Sequence, residues 1–324
     1  MSALSHTQYV ETILYWLRKP SIKSCRWRFL GTKIIEMFSF KKKAIRLPTN
    51  EEATADYIEF AQAKKNSIIP DCKIGVVIPC YCNSKNSQLQ IERLAHCLAS
   101  QTEKPTVVFF VDDCSPVSFS VKGCSNAVVL KQNENRGPAA ARSLGLNHAL
   151  RAGCDIIAFT DSDCIPSKEW LSEVKSTFLS NDMCSIVSGK TISFGNTWFN
   201  RYHELNGTLN GRRFKGTNSL LYGPTCNLAI TATVGRNVRF DEDFPLAAGE
   251  DINFCLAANR LGYAIRYNPS MIIQHDFGYL GKLFHDLKRF IKQFERYADG
   301  EDVLIRKNPS YYIYFEQTEE ISAC

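Results

Sequence analysis

No window of the 324 residues holds the roughly 18 uninterrupted apolar residues that a membrane-spanning helix needs. The amino-terminal stretch also lacks a short apolar core followed by a small-residue cleavage site, so no secretory leader is expected. Paired C-x-x-C spacings are missing too. Cys80-Tyr81-Cys82 is too tight for a zinc knuckle and has no companion pair. The 13 cysteines are scattered, with Cys97, Cys154 and Cys255 inside apparent strands and helices. They read as reduced, mostly buried thiols, which fits a cytoplasmic chain. A glycine- and lysine-rich phosphate loop is absent after the first strand, where Pro79-Cys80-Tyr81-Cys82-Asn83 stands instead. Basic charge is scarce beyond the first 50 residues. That segment carries ten Lys/Arg against two Glu, a local +8 in a chain of net +6, which leaves −2 for the rest. Such a balance argues against nucleic acid as a substrate.

What is present reads as an ordinary globular chain, 44% hydrophobic and 22% charged, long enough to bury a sizeable core. Three regions are expected. Residues 1–70 interleave Tyr9, Trp16, Trp27, Phe29 and Phe38 with Arg18, Lys23, Arg28, Lys33 and Lys41 to Lys43. Aromatics alternating with cations at helical spacings suit either an anionic membrane surface or two helices packed on the main domain. Residues 71–277 form the main domain, and residues 278–324 an amphipathic helical tail.

From Lys73 the pattern alternates strand and helix. Ile74 to Pro79 is a continuous apolar run of the kind buried on both faces of a parallel sheet. A helix follows through Leu89, Ile91, Leu94 and Leu98, then strands at Thr106–Val111 and Ala127–Leu130. A further helix starts at Pro138 and stops at Gly153. The next strand, Asp155 to Thr160, delivers Asp161-Ser162-Asp163. This β-α-β order predicts a mostly parallel α/β sheet with a nucleotide crevice at the carboxyl ends of its strands. In an extended segment Asp161 and Asp163 share one face. Two such carboxylates suit Mg²⁺ or Mn²⁺ with phosphate oxygens completing the shell. A plain turn before Pro166-Ser167 accounts for the same residues equally well.

Several motifs occur in a fixed order: Val77-Ile78-Pro79-x-Tyr81-x-Asn83, Val111-Asp112-Asp113-Cys114-Ser115, Asn135-x-Gly137-Pro138-Ala139-Ala140-Ala141-Arg142 and Thr160-Asp161-Ser162-Asp163. Cys226-Asn227-Leu228-Ala229-Ile230, Phe240-Asp241-Glu242 and Gly249-Glu250-Asp251 follow. Over residues 73–277 the chain resembles family 2 glycosyltransferases of the GT-A fold. It departs from the pattern at Cys82, Cys114 and Ser143. The resemblance implies inverting transfer of a sugar from a nucleotide-sugar donor, assisted by a divalent metal. Asp113 would then accept a hydrogen bond from the base, which suits the N3–H of uracil and favours a UDP-sugar. Pro79 and Tyr81 would line the base pocket, with the Tyr81 ring as a stacking face.

Asp161 and Asp163 would hold the metal against the diphosphate, and His275 would add a ligand after the strand Met271-Ile272-Ile273. Arg142, at the first turns of its helix, would pair with the nucleotide or with the aspartates. Asp251 would be the general base towards an acceptor hydroxyl and Glu250 would orient it; dipole complementarity at a helix start explains the same pair without chemistry.

Residues 189–224, rich in glycine and aromatics, read as a wall over the site, where Trp198 and Tyr202 stack on sugar or pack as helix core. In the tail, Gln293-x-x-Arg296-Tyr297 faintly resembles the Q-x-x-R-W of processive polysaccharide synthases, with Tyr for Trp. The expected acceptor is a glycan, a lipid-linked sugar or a peptide. Two other identities fit the topology: a nucleotidylyltransferase-like enzyme, or an inactive nucleotide-binding scaffold.

Overall fold

The computed structural model describes residues 68–244 and 247–321, so the expected basic-aromatic surface of residues 1–67 lies outside it. In chain order the strands are β1 (Ile74–Cys80), β2 (Val107–Asp112), β3 (Ala127–Lys131), β4 (Ile156–Thr160), β5 (Cys164–Pro166), β6 (Ile186–Ser193), β7 (Arg212–Phe214), β8 (Leu220–Tyr222), β9 (Asn227–Thr231), β10 (Ile265–His275) and β11 (Thr318–Glu320). The helices are α1 (Lys85–Ala99), α2 (Gly137–Arg151), α3 (Trp170–Ser180), α4 (Trp198–Leu205), α5 (Ala232–Asn237), α6 (Glu250–Arg260) and α7 (Leu283–Lys307). Eight strands form one sheet in the order β3-β2-β1-β4-β9-β6-β10-β5, and β11-β7-β8 form a smaller one.

The two-residue period of a strand divides the core. Ile74, Val76 and Ile78 of β1 join Phe110, Ile156 and Ala158 on the face covered by α1 and α3. Val77 joins Phe109, Val111, Ile157 and Phe159 on the opposite face, under α2 and α6. Covering both faces with helices is what lets β1 be apolar throughout and β4 be apolar up to Thr160. Helix α2 sits directly on β1 because Gly145 has no side chain; a Cβ there would lie 2.4 Å from Val77 Cγ1.

The first half of the sheet is parallel, as expected, with β1 flanked by β2 and β4. The second half departs from that simple winding. Strand β9 runs antiparallel to both β4 and β6, and β5 runs antiparallel to β10. Thr160 therefore pairs with Asn227, and the amino end of β9 lies beside the carboxyl end of β4. Beyond residue 278 lie α7, whose Leu304 and Ile305 are buried, and β11, which pairs with β7.

Candidate active site

Strand β4 stops at Thr160, and Cys164 N donates to Asp161 O at 3.0 Å. The chain is thus turned, not extended, through residues 161–164, and strand alternation does not place the two aspartates. The turn sends them to different partners. Asp161 Oδ1 accepts from Arg142 Nη2 at 2.7 Å, and Asp163 Oδ1 lies 3.3 Å from His275 Nε2.

Arg142 rises from the first turns of α2 and is buried. Its Nη1 donates to Glu250 Oε1, also at 2.7 Å. Burial alone would lower the guanidinium pKa, but Asp161 and Glu250 outweigh it and raise the value. A rigid planar fork with permanent charge is the group that can serve two carboxylates at once.

Glu250 and Asp251 open α6, after Gly249 in the left-handed region at φ 86°. Acidic residues there complement the helix dipole. Burial, with Asp251 next to it, pushes the Glu250 carboxyl up to about 7 against the pull of Arg142. Glu250 Oε2 is buried and makes no hydrogen bond among the described residues. Burial also raises Asp251, while Arg142 and the backbone N–H groups of Ile252 and Thr225 draw it back.

His275 ends β10 and pairs in register with Cys164 of β5. The donor atoms of Asp163, Cys164 and His275 lie within 4.8 Å of one another. Burial, and then Cys226, push the Cys164 thiol well up, which leaves carboxylate oxygen and imidazole nitrogen as the ready donors. Burial raises Asp163 as well, His275 opposes it, and Asp161 is near enough to add to the rise. The group holds one carboxylate and one imidazole, which suit Mn²⁺ or Mg²⁺ better than a soft thiolate-bound metal; Asp161, turned towards Arg142, is not among its three donors.

At the carboxyl ends of β1 and β2 lie Pro79, half-buried, Tyr81, 45% exposed, and Asp113, buried. Asp113 Oδ1 accepts from Arg136 N and Oδ2 from Gly137 N, both at 2.8 Å. It therefore holds the amino end of the helix that carries Arg142, a duty that its motif had not foretold. The Gly137-Pro138 helix start was the signal for it. Asp112 is occupied with Ser115 N at 2.9 Å.

Tyr297, noted only for a faint motif, lies close to the acid cluster, with Gln293 of the same motif beside it. Tyr279 OH donates to Gln293 Oε1 at 3.2 Å, and Gln293 Nε2 donates to Tyr297 OH at 2.7 Å. Burial pushes the Tyr297 phenol up, and Cys226 and Asp251 are near enough to add to the rise. Tyr202 is taken up by packing, with its ring 5.0 Å from Phe290 and 5.8 Å from Phe294. Trp198 is 89% exposed.

The sequence profile of glycosyl transferase family 2 matches residues 75–242. A pre-mycofactocin glycosyltransferase of Mycobacterium tuberculosis (strain ATCC 25618 / H37Rv) is 31% identical over 157 residues, 46% of this chain and 32% of that protein. Glycosyltransferase AglE of Haloferax volcanii is 28% identical over 229 residues, 65% of this chain and 69% of its own length. The chain thus spans about a third of the mycobacterial relative. Among solved structures, GalNAc-T7 with UDP, GalNAc and Mn²⁺ superposes with a TM-score of 0.50 at 14% identity, covering 65% of this chain and 44% of that one. Its likeness is one of fold.

Proposed function

The chain belongs to glycosyl transferase family 2, and on that premise we propose that it moves a sugar, with inversion, from a nucleotide-diphosphate sugar to an acceptor hydroxyl. The observation that carries this is the convergence of two distant motifs on one side chain. Arg142 binds Asp161 and Glu250 at 2.7 Å each, with Asp251 adjoining. In this reading Asp251 takes the proton of the acceptor hydroxyl as its oxygen attacks. Its raised pKa strengthens it as a base. Glu250, fixed by Arg142, orients that base. Asp161, Asp163 and His275 would hold a divalent cation, Mn²⁺ or Mg²⁺. When bound, that ion supplies a Lewis acid for the charge gathering on the departing diphosphate.

Tyr81 offers an open ring face to the base, and Pro79 forms the wall beside it. Asp113 spends one lone pair of each oxygen on backbone N–H groups. A carboxylate keeps further lone pairs for a uracil N3–H, which favours a UDP-sugar. The GalNAc-T7 neighbour holds UDP and Mn²⁺, in keeping with this choice. The acceptor side takes a glycan, a lipid-linked sugar or a peptide, at the inner face of a membrane. No helix among the described residues is long and apolar enough to cross one.

Release of nucleoside diphosphate from a panel of nucleotide-sugars, with Mn²⁺ and with chelator, tests the reading. Metal-dependent release from a UDP-sugar is expected. Pyrophosphate release from a nucleoside triphosphate and a sugar phosphate would instead mark a nucleotidylyltransferase. Silence with every donor would mark an inactive scaffold. Asp251→Asn should leave donor binding intact and slow transfer by about 10²–10⁴-fold; an equally fast variant removes Asp251 from the mechanism.

A further inference from the structure

Helix α4 carries apolar side chains on its outer side as well as on the side that packs inward. Its inner side packs Phe199 and Tyr202 on Phe290 of α7, with centroids 5.2 and 5.0 Å apart. Its outer side shows Trp198 at 89% and Leu205 at 55% exposure, with exposed Arg201 between them. The start of α7 repeats the pattern: Leu280, Leu283 and Phe284 are 60%, 67% and 86% exposed. The two groups adjoin, because Phe199, next to Trp198, has its ring 5.3 Å from that of Tyr279, next to Leu280.

The loop between them is fastened. Asp286 accepts from Leu280 N at 2.9 Å and from Gly281 N at 2.8 Å. Leucine and phenylalanine are thus held outward by hydrogen bonds that a collapsed loop would lose. Exposed Lys282 stands at this apolar tip, and exposed Lys288, Arg289, Lys292 and Arg296 follow along the first half of α7. Of the carboxylates on that stretch of α7, Asp286 is buried and Glu295 is exposed.

We propose that this face docks on a phospholipid bilayer with anionic headgroups. Trp198, Leu280, Leu283 and Phe284 enter the headgroup–acyl boundary while the lysines and arginines meet lipid phosphates. An apolar tip continued by a cation-rich helix is the arrangement that such an interface selects, whereas a purely apolar contact with a protein surface would leave those cations without lipid phosphates to meet. Docking needs neither donor nor metal, so it stands apart from the transfer reaction.

The test uses the full chain with vesicles of phosphatidylcholine mixed with phosphatidylglycerol, against phosphatidylcholine alone. Co-sedimentation with the anionic vesicles is expected to fall on the order of tenfold or more in the double variant Leu283→Asp, Phe284→Asp. These positions are exposed, so folding is preserved. Trp170 is fully buried, so the vesicle-induced blue shift that distinguishes wild type from Trp198→Phe reports Trp198 entering the lipid. A double variant that sediments like wild type overturns the proposal, because residues 1–67 would then carry any binding. Self-association abolished by the double variant, with vesicles ignored by both proteins, also overturns it in favour of a second copy as the occupant.

Discussion

At the scale of single residues the buried acids make pH the sharpest probe. Glu250 is raised from 4.5 to about 7 by burial and by Asp251. A carboxyl that binds its proton more tightly in the folded chain contributes stability that is full below about 4.5. That stability is lost as pH rises through about 7. Glu250→Gln keeps the shape of the neutral form and removes the titration. Wild type should therefore lose Tm relative to Glu250→Gln as pH climbs from about 4.5 to about 7, followed by thermal melts in matched buffers. A constant difference would mean that the carboxyl does not titrate there. Asp251 shifts in the same direction, so the acid limb of a transfer–pH profile should lie above the ordinary carboxylate range.

Elements decide where those residues stand, and here Gly300 of α7 is the telling position. A Cβ on Gly300 would lie 2.3 Å from Ala248 O, in the loop that leads into Glu250 and Asp251. Glycine to alanine inside a helix ordinarily gains about 0.8–1 kcal/mol. Gly300→Ala should instead lower Tm, and slow transfer more than it weakens donor binding, because the displaced backbone belongs to the base-bearing loop. A gain in Tm with unchanged activity would show that α7 does not press on that loop. Much of this architecture was legible in the chain. The apolar run Ile74 to Pro79, the Pro138 helix start and the Glu250-Asp251 helix start all fall where periodicity and capping put them. Less legible were features that need a partner from elsewhere. The reversed sense of β9 depends on neighbours in β4 and β6. The turn at 161–164 depends on Cys164 pairing with His275. The backbone duty of Asp113 appears only once α2 is laid against β2, and Tyr297 reaches the acid cluster only through the packing of α7.

Across the whole molecule, donor binding should appear as stability by mass action. A ligand at about 100 times its Kd adds about 2.7 kcal/mol. In a domain of this size each kcal/mol is worth roughly 2–4 °C, so a true UDP-sugar with Mn²⁺ should raise Tm by roughly 5–11 °C. Chelator should remove most of that rise if Asp161, Asp163 and His275 share the ion with the diphosphate. A rise that survives chelation would mean that the nucleotide binds without it.

The guanidinium of Arg142 has one more consequence. It touches the carboxylate after β4 with one terminal nitrogen and the carboxylate at the start of α6 with the other. The gap between those loops is therefore gauged by the width of a single rigid fork. Breathing of the sheet or sway of α7 can shift both loops together without altering their separation, much as a spacer keeps two plates in register. A lysine in its place would offer one ammonium point and no ruler.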